Sequence, residues 1–135
     1  MLEANKALIR KWIDAWTAKD LDLLDEIFAR DYTVNGAPVG ADGVKQAVQF
    51  LHSVLSGVTA QLHEIVAEED KVVIRWTIGG RHTGDFMGIP PTGKELELAG
   101  INIYQILDNK IVANHEQTNI SEVIQKLMAN DTTNG

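Results

Sequence analysis

The sequence predicts an α+β fold, in which helices at both ends of the chain flank an antiparallel sheet. In the first 56 positions and again after position 119, apolar residues recur at three- and four-residue spacing, which is typical of amphipathic helices. Between positions 58 and 118 they fall in extended runs that are separated by short polar turns. Helices that precede and follow a run of strands indicate an α+β architecture.

Length and composition are those of one globular domain. The 135 residues are 44% hydrophobic and 23% charged, so we expect residues 1–129 to form a single domain and the polar segment 130–135 to be disordered. The net charge of −7 argues against nucleic-acid binding. No apolar run approaches the roughly 20 residues that span a bilayer, and no signal pattern opens the chain, so we predict a cytoplasmic protein with no membrane association.

Metal and disulfide chemistry are not expected. The sequence contains no cysteine, and its four histidines fall on different predicted elements without the spacing of metal ligands. We therefore predict no disulfide and no metal site.

The N-terminal part contains three predicted helices and one hairpin. The first helix covers Glu3–Lys19, and Asp20 is the expected N-cap of a short helix over residues 21–29. An extended hairpin follows that turns at Asn35-Gly36. A third helix is expected to begin at an Asp42 cap and to end at Gly57.

The first predicted hairpin of the sheet turns at Glu69-Asp70. This turn places Glu64 opposite Arg75 and His63 opposite Trp76.

The second predicted hairpin turns at Asp108-Asn109 and carries a polar cluster among apolar neighbours. Such a mixture is typical of a ligand pocket, although a solvated sheet face is the alternative, and one β-bulge would exchange the two sides of the last strand. The opposite side is also apolar in part, so we expect a homodimer that covers it. One face is predicted to hold Leu98, Gly100, Asn102, Tyr104, Ile106, Ile111, Ala113, His115, Gln117 and Asn119.

Between the two hairpins lies the segment "HTGDFMGIPPTGK", residues 82–94, which carries two of the three prolines. Each proline fixes φ and removes a donor, while Gly88 and Gly93 permit bends. We therefore interpret its last part, "GIPPTGK" at residues 88–94, as a stiff turn between two strands that contributes no catalytic atom.

This segment and its flanks resemble the SnoaL-like polyketide cyclase (ester cyclase) family. Gly80, His82 and Gly84 match its Gly-x-His-x-Gly pattern, residues 88–94 match its Gly-Ile-Pro-Pro-Thr-Gly-Lys run, and "DNKIV" at 108–112 matches the following turn. The resemblance covers nearly the whole chain. It implies a nuclear-transport-factor-2-like (cystatin-like) fold, in which a cone-shaped, curved antiparallel sheet wraps around the N-terminal helices. It also implies a deep apolar pocket without metal or cofactor, and usually a dimer.

In characterised members of this family the pocket closes a polyketide ring by intramolecular aldol condensation. This reaction needs an acid/base group and hydrogen-bond donors that stabilise the enolate. The family uses an Asp at the end of the last strand, and here Asn119 stands at that position; an amide takes no proton at neutral pH.

His115 is therefore the predicted acid/base, beside Asn119. Each candidate also has a structural interpretation. His115 could be a satisfied sheet histidine, Asn119 with Glu122 forms a capping-box pattern, His82 could pin the proline segment, and Trp76 could belong to the core. The predicted ligand contacts are Asn35, Trp76, His82, Asn102, Tyr104 and Gln117.

Two functions follow from this resemblance. The first is a cofactor-independent cyclisation or isomerisation of a small apolar carbonyl compound. The alternative, which the missing Asp favours, is a non-catalytic small-molecule-binding protein of the same fold.

Overall fold

A computed structural model describes residues 2–129; Met1 and the predicted disordered tail, 130–135, lie outside the described residues. The elements in chain order are α1 (Leu2–Ala18), α2 (Leu24–Ile27), β1 (Phe28–Val34), β2 (Ala37–Pro38), α3 (Gly40–Val54), β3 (Leu55–Glu68), β4 (Lys71–His82), β5 (Glu95–Leu107), β6 (Lys110–Thr118) and α4 (Ile120–Met128).

The six strands form one curved, open sheet in the order β2-β1-β6-β5-β4-β3. Sequential strands from β3 to β6 pair antiparallel, as predicted. Strand β1 instead pairs parallel with β6. No tight turn joins these two strands, which lie at opposite ends of the sequence, so nothing forces them into an antiparallel arrangement. The predicted α+β fold, with a curved sheet packed on N-terminal helices, is confirmed.

Helices α1, α2 and α3 bury their apolar faces against one side of the sheet. The buried residues of α1 recur at helical spacing, as the sequence predicts, and burial of each large side chain contributes about 1.5–3 kcal/mol. A second, smaller cluster lies at the α4 end of the sheet. The main core includes Leu8, Ile9, Trp16, Leu24, Ile27, Phe28, Val44, Val48, Val72, Ile74 and Ile111, and the smaller cluster consists of Val54, Leu55, Phe86, Leu96, Val123 and Leu127.

Four of the predicted helix boundaries, the two ends of α2 and the two ends of α3, are wrong. Helix α2 covers only Leu24–Ile27: its N-cap position is Leu23 and not Asp20, and it ends where the chain enters β1 at Phe28. The N-cap position of α3 is Val39, and Asp42 lies within the first turn, where a carboxylate interacts favourably with the helix dipole. Gly57 does not end α3; it lies inside β3 with a φ of +62°, at a register shift that its freedom at positive φ permits.

The three predicted turns are confirmed. Asn35-Gly36 joins β1 to β2, with φ of 50° and 84°. Glu69-Asp70 joins β3 to β4, and Asp108-Asn109 joins β5 to β6 with both residues at positive φ. Two successive residues at positive φ are the feature of the tight hairpin turns that Asn-Gly and Asp-Asn sequences favour.

A bulge in β3 changes one predicted cross-strand pair. Glu64 lies opposite Arg75, as predicted, and the two side chains form an exposed ion pair at 2.6 Å. His63, however, is an extra residue in β3, so that Leu62 and not His63 lies opposite Trp76.

A second bulge, in β6, exchanges the faces of that strand. Ile111 pairs with Ile106 and Ala113 with Gln105, which leaves Val112 as an extra residue. Every residue of β6 beyond the bulge therefore points to the opposite side from the one that strict alternation predicts.

The start of the proline segment packs against the end of α3, and this contact generates a stability prediction. The backbone N–H of Gly84 donates to the carbonyl of Val54, and a Cβ on Gly84 would lie 1.9 Å from the carbonyl oxygen of Ser53. We expect Gly84→Ala to lower the free energy of unfolding by about 1–3 kcal/mol, measured by chemical denaturation. Gly79→Ala, whose Cβ would meet nothing closer than 3.2 Å, should change it by less than about 1 kcal/mol. Equal losses in both variants would contradict this packing.

Candidate functional site: a cavity with one carboxyl group

A cavity of about 210 Å³ lies between the helices and the sheet. Its walls are mostly apolar, and most of its polar side chains lie on β5 and β6. This combination is the usual composition of a small-molecule site. The helical wall is formed by Trp12, Ile13 and Trp16 of α1 and by Val44, Val48 and Leu51 of α3, and the opposite wall includes Ile74, Trp76, Ile78 and Leu98.

Five side chains of the cavity wall, Trp12, Trp76, Asn102, Tyr104 and Asn114, form a continuous hydrogen-bond network. The indole N–H of Trp76 donates to Oδ1 of Asn102 at 2.6 Å. Nδ2 of Asn102 donates to the Tyr104 hydroxyl at 3.2 Å and to Oδ1 of Asn114 at 3.1 Å. The indole N–H of Trp12 also donates to the Tyr104 hydroxyl, at 3.1 Å. Asn102, Asn114 and Tyr104 are all buried, so these bonds satisfy groups that would otherwise be costly to remove from water.

Glu116 is the only carboxylic acid among the described residues that line the cavity, and that lining contains no Lys, Arg or His. Its Oε2 lies 3.5 Å from Nδ2 of Asn102. Burial raises the pKa of Glu116, and hydrogen bonds from Asn102 and Asn114 oppose this rise in part. Glu116 therefore stays protonated to a higher pH than a surface carboxyl does.

Two tyrosine hydroxyls also belong to the polar part of the cavity wall, which further includes Gln61 and Thr77. Burial raises the pKa of Tyr32 and of Tyr104 far above the ordinary tyrosine value. Both hydroxyls are therefore neutral and keep a proton that they can donate.

The two predicted contacts at the rims of this region, Asn35 and His82, support the backbone. Oδ1 of Asn35 accepts the N–H of Glu116 at 2.9 Å, so the side chain holds β1 to β6 beside the acid and is not part of the cavity wall. His82 is fully buried, and its Nδ1 lies 3.2 Å from the N of Thr92 and 2.9 Å from the Thr92 hydroxyl. It thus pins the proline segment, and none of residues 83–94 lines the cavity.

The predicted face is wrong for His115 and Gln117. Both side chains are exposed, because the bulge at Val112 turns them to the outer side of the sheet, where they lie opposite Ile103 and Ile101. Neither residue lines the cavity, so the geometry offers no support for the pocket roles that were predicted for them.

Asn119 also lies outside the cavity lining. Its Oδ1 accepts the backbone N–H of Ala99 at 2.9 Å, and its side chain makes no hydrogen bond to α4. The capping-box interpretation is therefore wrong; the hydroxyl of Thr118 accepts the N–H of Ile120 at 3.3 Å instead.

Among the predicted ligand contacts, Trp76, Asn102 and Tyr104 lie on the cavity wall. Sequence reasoning missed Tyr32, Asn114 and Glu116. Polar residues occupy both faces of β6 from Asn114 to Gln117, so alternation alone cannot tell which pair points inward.

The fold and the cavity together define a small α+β protein with a mostly apolar cavity between its helices and its sheet. A sequence model of the SnoaL-like polyketide cyclase family matches residues 6–127, and the chain belongs to this family. The sequence is 30% identical over 112 residues to the aklanonic acid methyl ester cyclases DauD of Streptomyces sp. (strain C5) and DnrD of Streptomyces peucetius. The alignments cover 77% of this chain, 69% of DauD and 77% of DnrD.

Among solved structures, TsrD from Streptomyces laurentii superposes with a TM-score of 0.87 at 24% sequence identity. The match covers 96% of this chain and 98% of TsrD, and it supports the fold. Within residues 2–129, no helix is long and apolar enough to cross a membrane, and no group of three or more His, Asp or Glu is placed to hold a metal ion.

The raised pKa of Glu116 predicts a pH-dependent stability. A carboxyl whose pKa rises on folding stabilises the native state fully below its ordinary value of 4.5, and this contribution is lost as the pH rises through the folded-state pKa. Glu116→Gln removes the buried charge, so we expect the variant to gain stability relative to the wild type as the pH increases from 4 to 8. Denaturant unfolding at several pH values measures this difference.

Glu97→Gln, which removes one negative charge at an exposed carboxylate, is the matched control. A stability difference for Glu116→Gln that follows the one for Glu97→Gln over the same pH range, or that falls as the pH rises, would contradict the burial of this acid.

Proposed function

We propose that this protein is a cofactor-independent cyclase-type enzyme, which acts on an uncharged apolar carbonyl compound by proton abstraction and intramolecular aldol ring closure. The observation that carries the proposal is Glu116, an acid/base group in an apolar cavity whose described lining contains no other acid and no basic side chain. It takes the place, in function and not in sequence position, of the Asp that the family has where Asn119 stands.

The surroundings of Glu116 suit a general base and acid. Proton transfer is most efficient when the pKa of the catalytic group lies near the working pH, and burial moves the pKa of Glu116 in that direction. The nearby amides of Asn102 and Asn114 stabilise the carboxylate form, so that the group is not locked in its protonated state. In the proposed reaction Glu116 removes a proton from the carbon beside a carbonyl and returns one to the alkoxide after the carbon–carbon bond forms.

Tyr104 is the proposed donor to the enolate oxygen. Its hydroxyl accepts from two groups that act as donors, the indole N–H of Trp12 and Nδ2 of Asn102. Its own hydrogen therefore points elsewhere, and Tyr104 lines the cavity. A neutral donor that is already fixed in position stabilises developing negative charge without reorganisation.

The proposed substrate class is a neutral polyketide ester. DauD and DnrD are named as cyclases of an acid methyl ester, in which the carboxylate is masked. The described cavity lining contains the acid Glu116 and no cationic side chain, so it would disfavour the binding of a ligand with a free carboxylate.

A non-catalytic binding protein is the second candidate, and one observation favours it. Where the family has its acid/base Asp, this chain has Asn119, whose side chain is engaged with the backbone of Ala99. The same cavity would then hold a ligand without turning it over.

The two functions are separated by turnover assays on a panel of polyketide methyl esters that begins with aklanonic acid methyl ester. We expect the wild type to form cyclised product, Glu116→Gln to lose at least about 100-fold in kcat because general acid–base catalysis contributes 10²–10⁴-fold, and His115→Ala to stay near wild type.

Quenching of tryptophan fluorescence by the same polyketide methyl esters measures their binding to Glu116→Gln. This binding shows whether the cavity is intact in that variant. Binding of these esters by the wild type without any product would favour the binding protein over the enzyme. Full activity of Glu116→Gln would sink the role proposed for Glu116.

We also propose that the outer face of the sheet mediates a homodimer. Val66, Val73 and Ile103 lie side by side on three adjacent strands, and Ile101 is the next residue of β5 on the same face, two positions before Ile103. Val66 is 59% exposed and Ile101 51%, which forms a continuous apolar strip suited to pair with its own copy about a two-fold axis.

Charge in this strip should disrupt the dimer. We expect Ile103→Glu to shift the mass measured by light scattering from dimer to monomer, because a buried unpaired carboxylate is costly. Met87→Glu adds the same charge at a residue that is 79% exposed in the proline segment and should leave the dimer intact. A wild type that is monomeric, or an Ile103→Glu variant that remains dimeric, would refute this interface.

A further inference from the structure

The direction of the cavity network depends on one indole group. We propose that Trp76 is a positioning residue, which determines that the amide nitrogens, and not the amide oxygens, of Asn102 and Asn114 face Glu116. The functional importance of this arrangement rests on the role proposed above for Glu116; the arrangement itself follows from hydrogen-bond geometry.

The indole N–H of Trp76 fixes which atom of the Asn102 amide is the acceptor and which is the donor. An indole N–H can only donate, whereas an Asn side chain can turn by 180° and exchange its donor and its acceptor at similar shape. Because Nε1 of Trp76 lies 2.6 Å from Asn102, the atom of Asn102 that faces it must be the oxygen. Nδ2 of Asn102 then faces the Tyr104 hydroxyl at 3.2 Å, Oδ1 of Asn114 at 3.1 Å and Oε2 of Glu116 at 3.5 Å.

The second amide follows from the first. Oδ1 of Asn114 accepts from Asn102, so its own Nδ2 is directed toward the remaining neighbours, Glu116 and Tyr32, whose ionised forms it stabilises. Without the indole N–H, either amide can turn. A turned Asn102 presents its oxygen to the carboxyl of Glu116, where it repels the carboxylate and favours the protonated acid.

Gly100 makes room for the indole in this position. Gly100 lies directly opposite Trp76 in the pairing of β4 with β5, and a Cβ at this residue would lie 2.3 Å from Cζ2 of the indole ring. The ring therefore lies over the backbone of β5, with its N–H toward Asn102, only if residue 100 lacks a side chain.

The groups that face Glu116 allow its titration to report on these amides. The titratable side chains around it are Tyr32 on β1 and Tyr104 on β5, which burial keeps neutral, while α1 and β4 contribute Trp12 and Trp76 to the described lining. No charged group on these elements faces the carboxyl within that lining. A change in the titration of Glu116 upon substitution of either tryptophan thus reflects hydrogen bonding.

The test is a titration of the Glu116 carboxyl carbon by NMR in the full-length protein, in the wild type, in Trp76→Phe and in Trp12→Phe. Both variants remove one indole N–H from the same cavity, but only Trp76 bonds to Asn102. We expect the pKa of Glu116 to rise in Trp76→Phe and to stay at the wild-type value in Trp12→Phe. An unchanged pKa in Trp76→Phe, or an equal rise in both variants, would overturn the proposal.

Gly100→Ala supplies a second variant if Trp76→Phe does not fold. The added methyl group displaces the indole ring of Trp76, while Trp76 itself stays in the chain. It should raise the pKa of Glu116 in the same direction, and an unchanged value would overturn the proposal equally. The titration is independent of turnover. If the pKa shifts as expected and no variant or wild type forms product, the enzyme proposal fails while the role of Trp76 stands. If the wild type forms product and the pKa of Glu116 is unchanged in Trp76→Phe, the enzyme proposal stands while the role of Trp76 fails.

Discussion

The extra residue at Val112 decides which side chains enter the cavity. Because successive residues of a strand point to opposite faces, one inserted residue brings Asn114 and Glu116 inside and sends His115 and Gln117 outside. The turn between β3 and β4 contacts β5 at the two residues opposite the bulge: the carbonyl of Asp70 accepts the N–H of Ile106 at 2.8 Å, and the carboxylate of Asp70 accepts from the side chain of Gln105, also at 2.8 Å.

Burial and hydrogen bonding act in opposite directions on Glu116, and their balance is what makes the group useful. An isolated carboxyl in an apolar wall would stay protonated, and one surrounded by donors would stay ionised. The amides of Asn102 and Asn114 provide partial compensation, and their orientation is fixed by an indole N–H that has only one role in a hydrogen bond. The cavity is consequently an ordered polar network inside an apolar shell, in which the buried donors and acceptors largely satisfy one another.

The sequence predicts most of the fold because the fold depends on local signals. A short stretch of sequence is enough to predict hairpin turns such as Asn35-Gly36, the helical periodicity of α1 and the turn in the proline segment. The residues of the site are positioned by two features that such local signals do not reveal, a β-bulge and a pairing between distant strands. The bulge at Val112 occurs where β6 is polar on both faces, and the parallel pairing of β1 with β6 joins segments far apart in the chain. Trp76, Asn102 and Tyr104 were found because they lie on β4 and β5, whose mutual register has no such shift; Glu116 was missed because β6 has one.

The proposal that Glu116 abstracts a proton is tested most directly by hydrogen exchange into the substrate. A polyketide methyl ester is incubated in D₂O with the wild type or with Glu116→Gln, and deuterium at the carbon beside the carbonyl is followed by mass spectrometry. The account predicts incorporation with the wild type and a loss of at least about 100-fold with Glu116→Gln, whether or not the ring closes afterwards. Equal incorporation with both proteins, or none above the uncatalysed rate with the wild type, would contradict it.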